Sequence, residues 1–254
     1  MKYRSYYLPL LMATAIVTTF LAWDAAAELT DGLVLYLSFE ERDPIDHSPD
    51  PAQVSVEGNL DQEPGKFGNA AVFDGATYLE VVHADKLDGM GALSIAAWVT
   101  MQDLAAVEGM SIASKRVASA TEDVYNLFFW TGQKLYGRVN AQGEISSQTV
   151  FEDDTWYHVA FVFDGQKGKL YVDGNLEVES DHPENAVNET AASLWIGELD
   201  PNRGFKWIGA MDEVGIWNKA LSDAEIALLI QGEIMAQVEP QGKLTATWGA
   251  VKGQ

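Results

Sequence analysis

The sequence predicts an all-β protein, a sandwich of two antiparallel sheets with one short helix near its C-terminal end. Three observations carry that expectation. Short runs rich in β-branched and aromatic residues recur along the chain, several alternating with period two. Gly, Asp and Asn separate these runs at close intervals, as turns require. Only one segment, starting at Ser222, carries both the start and the stop signal of a helix.

Taken in order, residues 33–39 alternate so that Leu33, Leu35, Leu37 and Phe39 share one face. Runs at 70–73 and 78–82 flank the turn Asp74-Gly75-Ala76. Residues 93–100 form the next strand. Runs at 124–130 and 135–140, joined by residues 131–134, read as a hairpin. Residues 156–163 run into Asp164-Gly165, and 170–172 into Asp173-Gly174-Asn175. Runs at 194–197 and 210–217 bring the expected set to ten or more strands, enough for two packed sheets. Trp98, Trp195 and Trp217 fall inside regular strands and are expected in the core. Ser222 with Glu225 three residues on makes a capping box, and Gly232 ends the helix. Leu221, Ile226, Leu229 and Ile230 lie close to one face of it, expected to pack on a sheet edge.

The N-terminus reads as an address label. Lys2 and Arg4 precede an apolar stretch at 8–22, no charge follows until Asp24, and Ala25-Ala26-Ala27 offers a cleavage site before Glu28. Residues 1–27 are therefore expected to be a signal peptide, 28–232 the folded domain, and 233–254 a tail containing Pro240 and three glycines. The expected location is secreted, periplasmic or cell-surface, with no stable membrane span once the signal is removed. A domain of this length buries a full core without staples. No cysteine is present, which excludes disulfides and thiol chemistry. The formal net charge of −22 excludes nucleic acid as a partner, because nothing neutralises phosphate. It fits either simple solubility or carboxylates gathered around a hard cation.

Five segments resemble one family in order and spacing: LSIAAWV at 93–99, TWYHVAFVFDG at 155–165, LYVDG at 170–174, LWIG at 194–197 and GAMDEVGIWNKALS at 209–222. AVFDG at 71–75 fits the same pattern upstream. Together they are similar to the strand motifs of laminin-G-like domains of the concanavalin A-like lectin and glucanase superfamily, over roughly residues 33–231, with a core motif region of about 91–224. The resemblance implies a jelly-roll sandwich of two curved antiparallel sheets. It implies no single activity, because relatives bind glycans or proteins while some glucanases of the fold hydrolyse them.

Hydrolysis of that kind needs two carboxylates about 5–9 Å apart across the scissile bond. The glucanase pattern Glu-x-Asp-x-x-Glu starts at Glu198-Leu199-Asp200, but Arg203 stands where the last acid belongs and Pro201 interrupts the strand. Asp212 and Glu213 are adjacent and face opposite ways on a strand. Histidines 47, 83, 158 and 182 are scattered, and no Gly-x-Ser-x-Gly elbow occurs. The expectation is a non-catalytic binding module for carbohydrate, with a protein-binding or surface-assembly module as the alternative. On the hairpin around Gly132, alternation places Asn126, Phe128 and Trp130 on one face with Tyr136, Arg138 and Asn140, a mixture of aromatic, amide and guanidinium suited to sugars. The competing reading puts Phe128 and Trp130 in the core. Trp156 and His158 would join this face if their strand is adjacent.

In the resembled fold the first and last strands lie side by side. That would bring Glu40 towards Asp212, with Asp46 in the connecting loop, and these three are the candidate calcium ligands. Alternatively Asp212 is held by loop amides and hydroxyls with no ion. The loop lacks the glycines that family members carry there. Asn188-Glu189-Thr190 is a glycosylation sequon and carries little weight alone.

Overall fold

The structure, a computed structural model, describes residues 29–116, 123–200 and 204–238. The expected signal peptide lies outside the described residues, as does most of the expected tail. The first sheet contains β1 (Leu33–Leu37), β3 (Asp61–Pro64), β4 (Asn69–Asp74), β6 (Leu93–Val99), β11 (Tyr157–Phe163), β12 (Lys167–Val172), β13 (Asn175–Asp181) and β15 (Ile208–Trp217). Its order is β13-β12-β11-β6-β15-β4-β3, with β1 also paired to β15. The second sheet contains β2 (Val54–Glu57), β5 (Tyr78–Val81), β7 (Met110–Arg116), β8 (Asp123–Trp130), β9 (Lys134–Val139), β10 (Gln142–Ser146) and β14 (Leu194–Ile196), in the order β10-β9-β8-β7-β14-β5-β2. Every ladder is antiparallel. This is the jelly-roll sandwich that the motifs imply.

Alternation decides what each strand buries. Leu93, Ile95, Ala97 and Val99 of β6 and Val159, Phe161 and Phe163 of β11 enter the core between the sheets, meeting Tyr125, Leu127 and Phe129 of β8. Their neighbours Ala96, Ala160 and Val162 point the other way, into a second apolar cluster on the outside of the first sheet. Helix α1 (Asp223–Ile230) closes that cluster with Ile226 and Leu229 over Tyr36, Tyr171 and Trp217. Its capping box forms as expected: Ser222 Oγ accepts from Glu225 N, and Glu225 Oε2 accepts from Ser222 N at 2.8 Å. Trp217 Nε1 donates to the carbonyl of Leu29 at 2.7 Å, tying the segment just before β1 to the last strand. A second short helix, α2 (Met235–Val238), follows, and Ile234 just before it is buried in the same cluster.

Two expectations about facing need correction. A register shift between Leu33 and Leu35 turns Leu33 into the outer cluster, so it does not share a face with Leu35 and Leu37. Of the three strand tryptophans, Trp98 and Trp217 are buried as expected, though outside the space between the sheets, and only Trp195 is not. Trp217 sits under α1, Trp98 lies on the outside of the first sheet under Phe67 and Lys66, and Trp195 is half-buried on the outside of the second.

Among the described residues no helix is long and apolar enough to cross a membrane. The sheets approach closely where β9 crosses β11. A Cβ added at Gly137 would press into the fully buried ring of Phe161. Gly137→Ala is therefore expected to destabilise the domain by about 1–3 kcal/mol through overpacking, measurable as a lowered urea midpoint with an unchanged m-value.

Candidate functional site

The outer face of the second sheet separates into two halves. On β8 and β9 the outward residues are those of the expected platform, and most of them are committed to the protein itself. Asn126 is fully buried and its Nδ2 donates to Asp123 Oδ2 at 3.1 Å. Phe128 is buried beneath Tyr136, stacked at 5.6 Å, and Phe205 at 6.2 Å. Arg138 binds Asp123 and reaches Glu144 Oε2 at 3.2 Å, while its guanidinium lies 5.1 Å from the Phe128 ring centroid. Asn140 is at φ 53° and holds a loop: its Nδ2 donates to Ala186 O, and its Oδ1 accepts from Asn188 N, each at 2.9 Å. Only Trp130 is exposed, with Tyr136 half-buried beside it at 5.8 Å. Contacts on one side of the hairpin join Phe128, Trp130, Tyr136 and Arg138, with Asn126 bonded beside them to Asp123, while Asn140 lies beyond the end of β9 and turns to the 186–188 loop; alternation could not show that the chain covers most of them. His158 does not join them. It lies on β11 in the first sheet, 5.3 Å from Trp98, where burial depresses its pKa to about 3 and keeps it neutral.

Between the halves runs a chain of ion pairs. Arg116 Nε lies 3.0 Å from Asp123 Oδ1 and 3.1 Å from Asp200 Oδ2, all three side chains being buried. Beside it are polar atoms without a hydrogen-bond partner: Ser111 Oγ, Ser114 Oγ, Asn126 Oδ1, Arg116 Nη2 and Glu198 Oε2. A buried polar group left unbonded costs about 1–3 kcal/mol, so each of these atoms gains from a partner.

The second half, on β14, β5 and β2, is the open one. Trp195 stands opposite Ser114 on β7 and Glu80 on β5. Tyr78 meets Trp195 edge-to-face at 5.8 Å, and both rings are half-buried. Glu57 lies across the ladder from Tyr78, and Ser193 Oγ donates to Glu80 Oε1 at 2.6 Å. Burial, and then the charges of Glu198, Glu57 and Glu80, push the Tyr78 hydroxyl above its ordinary range. Glu198 is itself raised, chiefly by burial, with Lys206 Nζ 3.8 Å from its Oε1 working against the rise. From the sequence, Trp195 is expected in the core and Tyr78 only as part of a strand. Their signal was two aromatics in alternating runs that become diagonal neighbours, and it needed the β5–β14 pairing to be seen.

The candidate calcium ligands are not brought together. Among the described residues no group of three His, Cys, Asp or Glu side chains is placed to hold a metal ion. Asp46 is saturated: Oδ1 accepts from Tyr36 N and Ser48 N, and Oδ2 from Ala52 N and Ser48 Oγ, with Lys86 Nζ at 3.3 Å. A cation there would have to displace an ammonium. Asp212 and Glu40 instead grip the turn between β3 and β4. Asp212 Oδ2 accepts from Phe67 N at 2.9 Å and also from Lys66 N, and Glu40 Oε1 accepts from Asn69 N at 2.7 Å. Among the described residues these three side chains do not gather around one point, and Asp212 Oδ2 is held by the amides of the β3–β4 turn.

A family model described as Concanavalin A-like lectin/glucanases superfamily, of the laminin G type, matches residues 73–227, and the chain belongs to that family. Among curated proteins no sequence matches significantly. Several solved structures share the fold. The binding domain of Paraclostridial Mosquitocidal Protein 1 aligns with a TM-score of 0.66 at 15% identity, covering 80% of this chain and 53% of that one. Domain 4 of AbnA, an extracellular arabinanase of Geobacillus stearothermophilus solved with arabinotriose, aligns at 0.62 and 20% identity, covering 78% and 98%. A chain of botulinum neurotoxin type C, whose cell entry depends on two ganglioside molecules, aligns at 0.63 and 15% identity, covering 82% and 52%. The chain thus spans about half the length of the toxin chains and nearly all of the arabinanase domain.

Asp212 offers a direct test of the acid assignment. Burial, with Glu40 nearby, pushes its carboxyl up to about 7 against the backbone N–H groups that lower it. A carboxyl whose folded pKa exceeds its unfolded value stabilises the fold fully below about 4 and loses that contribution as pH rises through about 7. Wild-type stability should therefore fall across this window with an extra slope of at most about 1.4 kcal/mol per pH unit. Asp212→Asn should remove that extra slope in urea unfolding measured from pH 4 to 8. An unchanged slope would show the proton to be elsewhere.

Proposed function

We propose that the protein is a secreted, non-catalytic carbohydrate-binding module that takes a glycan on the outer face of its second sheet. On this reading residues 1–27 are a cleaved leader, 28–232 the binding domain, and the remainder a short tail outside the site. The observation that carries it is the half-open Trp195–Tyr78 pair beside Ser114, Asn126 and Glu198, buried groups with unbonded oxygens. A sugar presents an apolar ring face for the aromatic pair and hydroxyls that both donate and accept, which is what such a mixture requires. Support also comes from two chains that share the fold: the arabinanase domain, solved with arabinotriose, and the botulinum neurotoxin type C chain, whose cell entry depends on gangliosides. The acids nearest the centre, Asp123 and Asp200, face Arg116, an arrangement that favours structure over acid catalysis. A net charge of −22 disfavours sulfated or uronic-acid polymers.

Affinity electrophoresis or calorimetry against a panel of oligosaccharides tests this. Trp195→Ala should weaken binding at least about tenfold, a loss of about 1.4 kcal/mol or more, while Trp130→Ala should change it little. Tight binding to an extracellular protein with no response to any glycan would overturn the proposal in favour of a protein-binding module.

A further inference from the structure

We infer that the open half of this face recognises an ammonium group carried on the sugar, so that the ligand class is glycans with free amino sugars. The inference rests on the carbohydrate reading above and narrows it.

Three independent features of the Trp195 region converge. The first is aromatic. Trp195 and Tyr78 are set edge-to-face and each half-buried, and aromatic faces attract cations electrostatically. The second is acidic: Glu57, Glu80 and Glu198 all lie near enough to act on the Tyr78 hydroxyl. Glu57 is exposed, Glu80 is half-buried, and Glu198 is 1% exposed with Oε2 bonded to nothing. A buried carboxylate of this kind gains most from a positively charged hydrogen-bond donor, since charge-assisted bonds are roughly twice as strong as neutral ones. The third is a neutral acceptor. Ser114, directly across the ladder from Trp195, is wholly buried and its hydroxyl is unpartnered, so a hydrogen-bonding group is poised next to the aromatic pair. A carboxylate, an aromatic face and a hydroxyl together match a protonated amine on a polyol ring better than they match an unsubstituted sugar.

The protein already places one ammonium here. Lys206 Nζ stands 3.8 Å from Glu198 Oε1, beyond hydrogen-bond reach, on a side chain that is 43% exposed. It occupies the neighbourhood loosely without filling the unbonded Oε2. A ligand amine can take that second oxygen, and Lys206 then acts as a competitor for the same charge. The other half of the face gives the contrast. There each arginine is matched by carboxylates: Arg116 by Asp123 and Asp200, Arg138 by Asp123 and Glu144. The open acidic half has only Lys206 among the described residues paired against its three glutamates.

The test uses glucosamine hexamer, its fully N-acetylated counterpart and cellohexaose, titrated into the full chain by calorimetry at a pH where the amine is charged. Expected is at least about tenfold tighter binding of the glucosamine oligomer than of the N-acetylated one. Glu198→Gln and Trp195→Ala should each remove most of that preference, whereas Lys206→Met should increase it. Nonspecific attraction of a polycation to an acidic protein is the rival explanation. It predicts a preference untouched by Glu198→Gln and abolished by moderate salt, and that result would overturn the inference. So would equal affinity for all three oligomers, which would leave the carbohydrate reading standing. No response to any oligomer would count against both. A lysine hexapeptide that binds as tightly, with the same sensitivity to Glu198→Gln, would overturn the sugar part of the assignment.

Discussion

The fold depends on how one edge of β15 is shared. That strand pairs with β6 along one side, but on the other it serves two partners in turn, β4 up to Met211 and β1 from Val214 onwards. Asp212 and Glu213 fall in the gap between those ladders, where the register shifts and Glu213 takes a φ of 55°. A gap in a sheet leaves backbone groups that must find partners. Here the side chains of the gap bridge it to neighbouring elements. Asp212 accepts the amides of the β3–β4 turn, and Glu213 Oε2 accepts the hydroxyl of Tyr36 on β1 at 2.6 Å. The turn in its way must come close. A Cβ at Gly65 would lie 2.6 Å from Asp212 Oδ2, and one at Gly68, where φ is 65°, would strike the Glu40 carboxylate. The first strand, the last strand and the β3–β4 hairpin are thus joined through two buried acids.

This junction explains why acidic residues that read as metal ligands do other work. Calcium needs six to eight oxygens that are free to turn inward. Backbone amides already hold the oxygens of Asp46, and those of Asp212 and Glu40 that carry bonds face the same turn. An amide donor satisfies a carboxylate without the crowding that several carboxylates around an ion require. The two outer faces then diverge in use. Helix α1 covers one end of the first sheet, and Phe67 with Lys66 covers Trp98 further along. The second sheet has no helix over it among the described residues, so its outer face is where a ligand can approach.

Much of the fold was legible because its buried strands follow simple periodicity. The runs that become β6, β8, β11 and β15 are apolar on the face they bury, and β11 ends on an Asp-Gly pair in the expected place. Five strands escaped notice for identifiable reasons. β3 reads Asp-Gln-Glu-Pro and β13 is an exposed edge with three acids, so neither shows an apolar face. β2 and β10 are short and half-exposed. β7 buries Lys115 and Arg116, which reads as a surface segment until their partners Asp88, Asp123 and Asp200 are known. The site was legible only in its chemistry. Alternation correctly put Asn126, Phe128 and Trp130 together, yet whether a face is open depends on what folds over it, and Phe205 arrives from a segment some seventy residues away.

That distinction between facing outward and being available also decides which charges matter on the binding face. Arg116 and Arg138 would suggest an anion site if counted alone, since guanidinium groups match carboxylates and sulfates well. Each is instead bracketed by acids of the protein's own, and a ligand anion would compete with Asp123 at a buried position where its charge is already balanced. Breaking such a pair costs several kcal/mol, more than a surface anion contact returns. The acidic half has the opposite balance. Its carboxylates exceed the cations facing them, its aromatics are half-open, and the unbonded oxygens of Ser114 and Glu198 gain from any donor that arrives. The face is therefore closed to anions where it is positive and open to donors where it is negative, and its selectivity follows from that asymmetry rather than from the number of charges it carries.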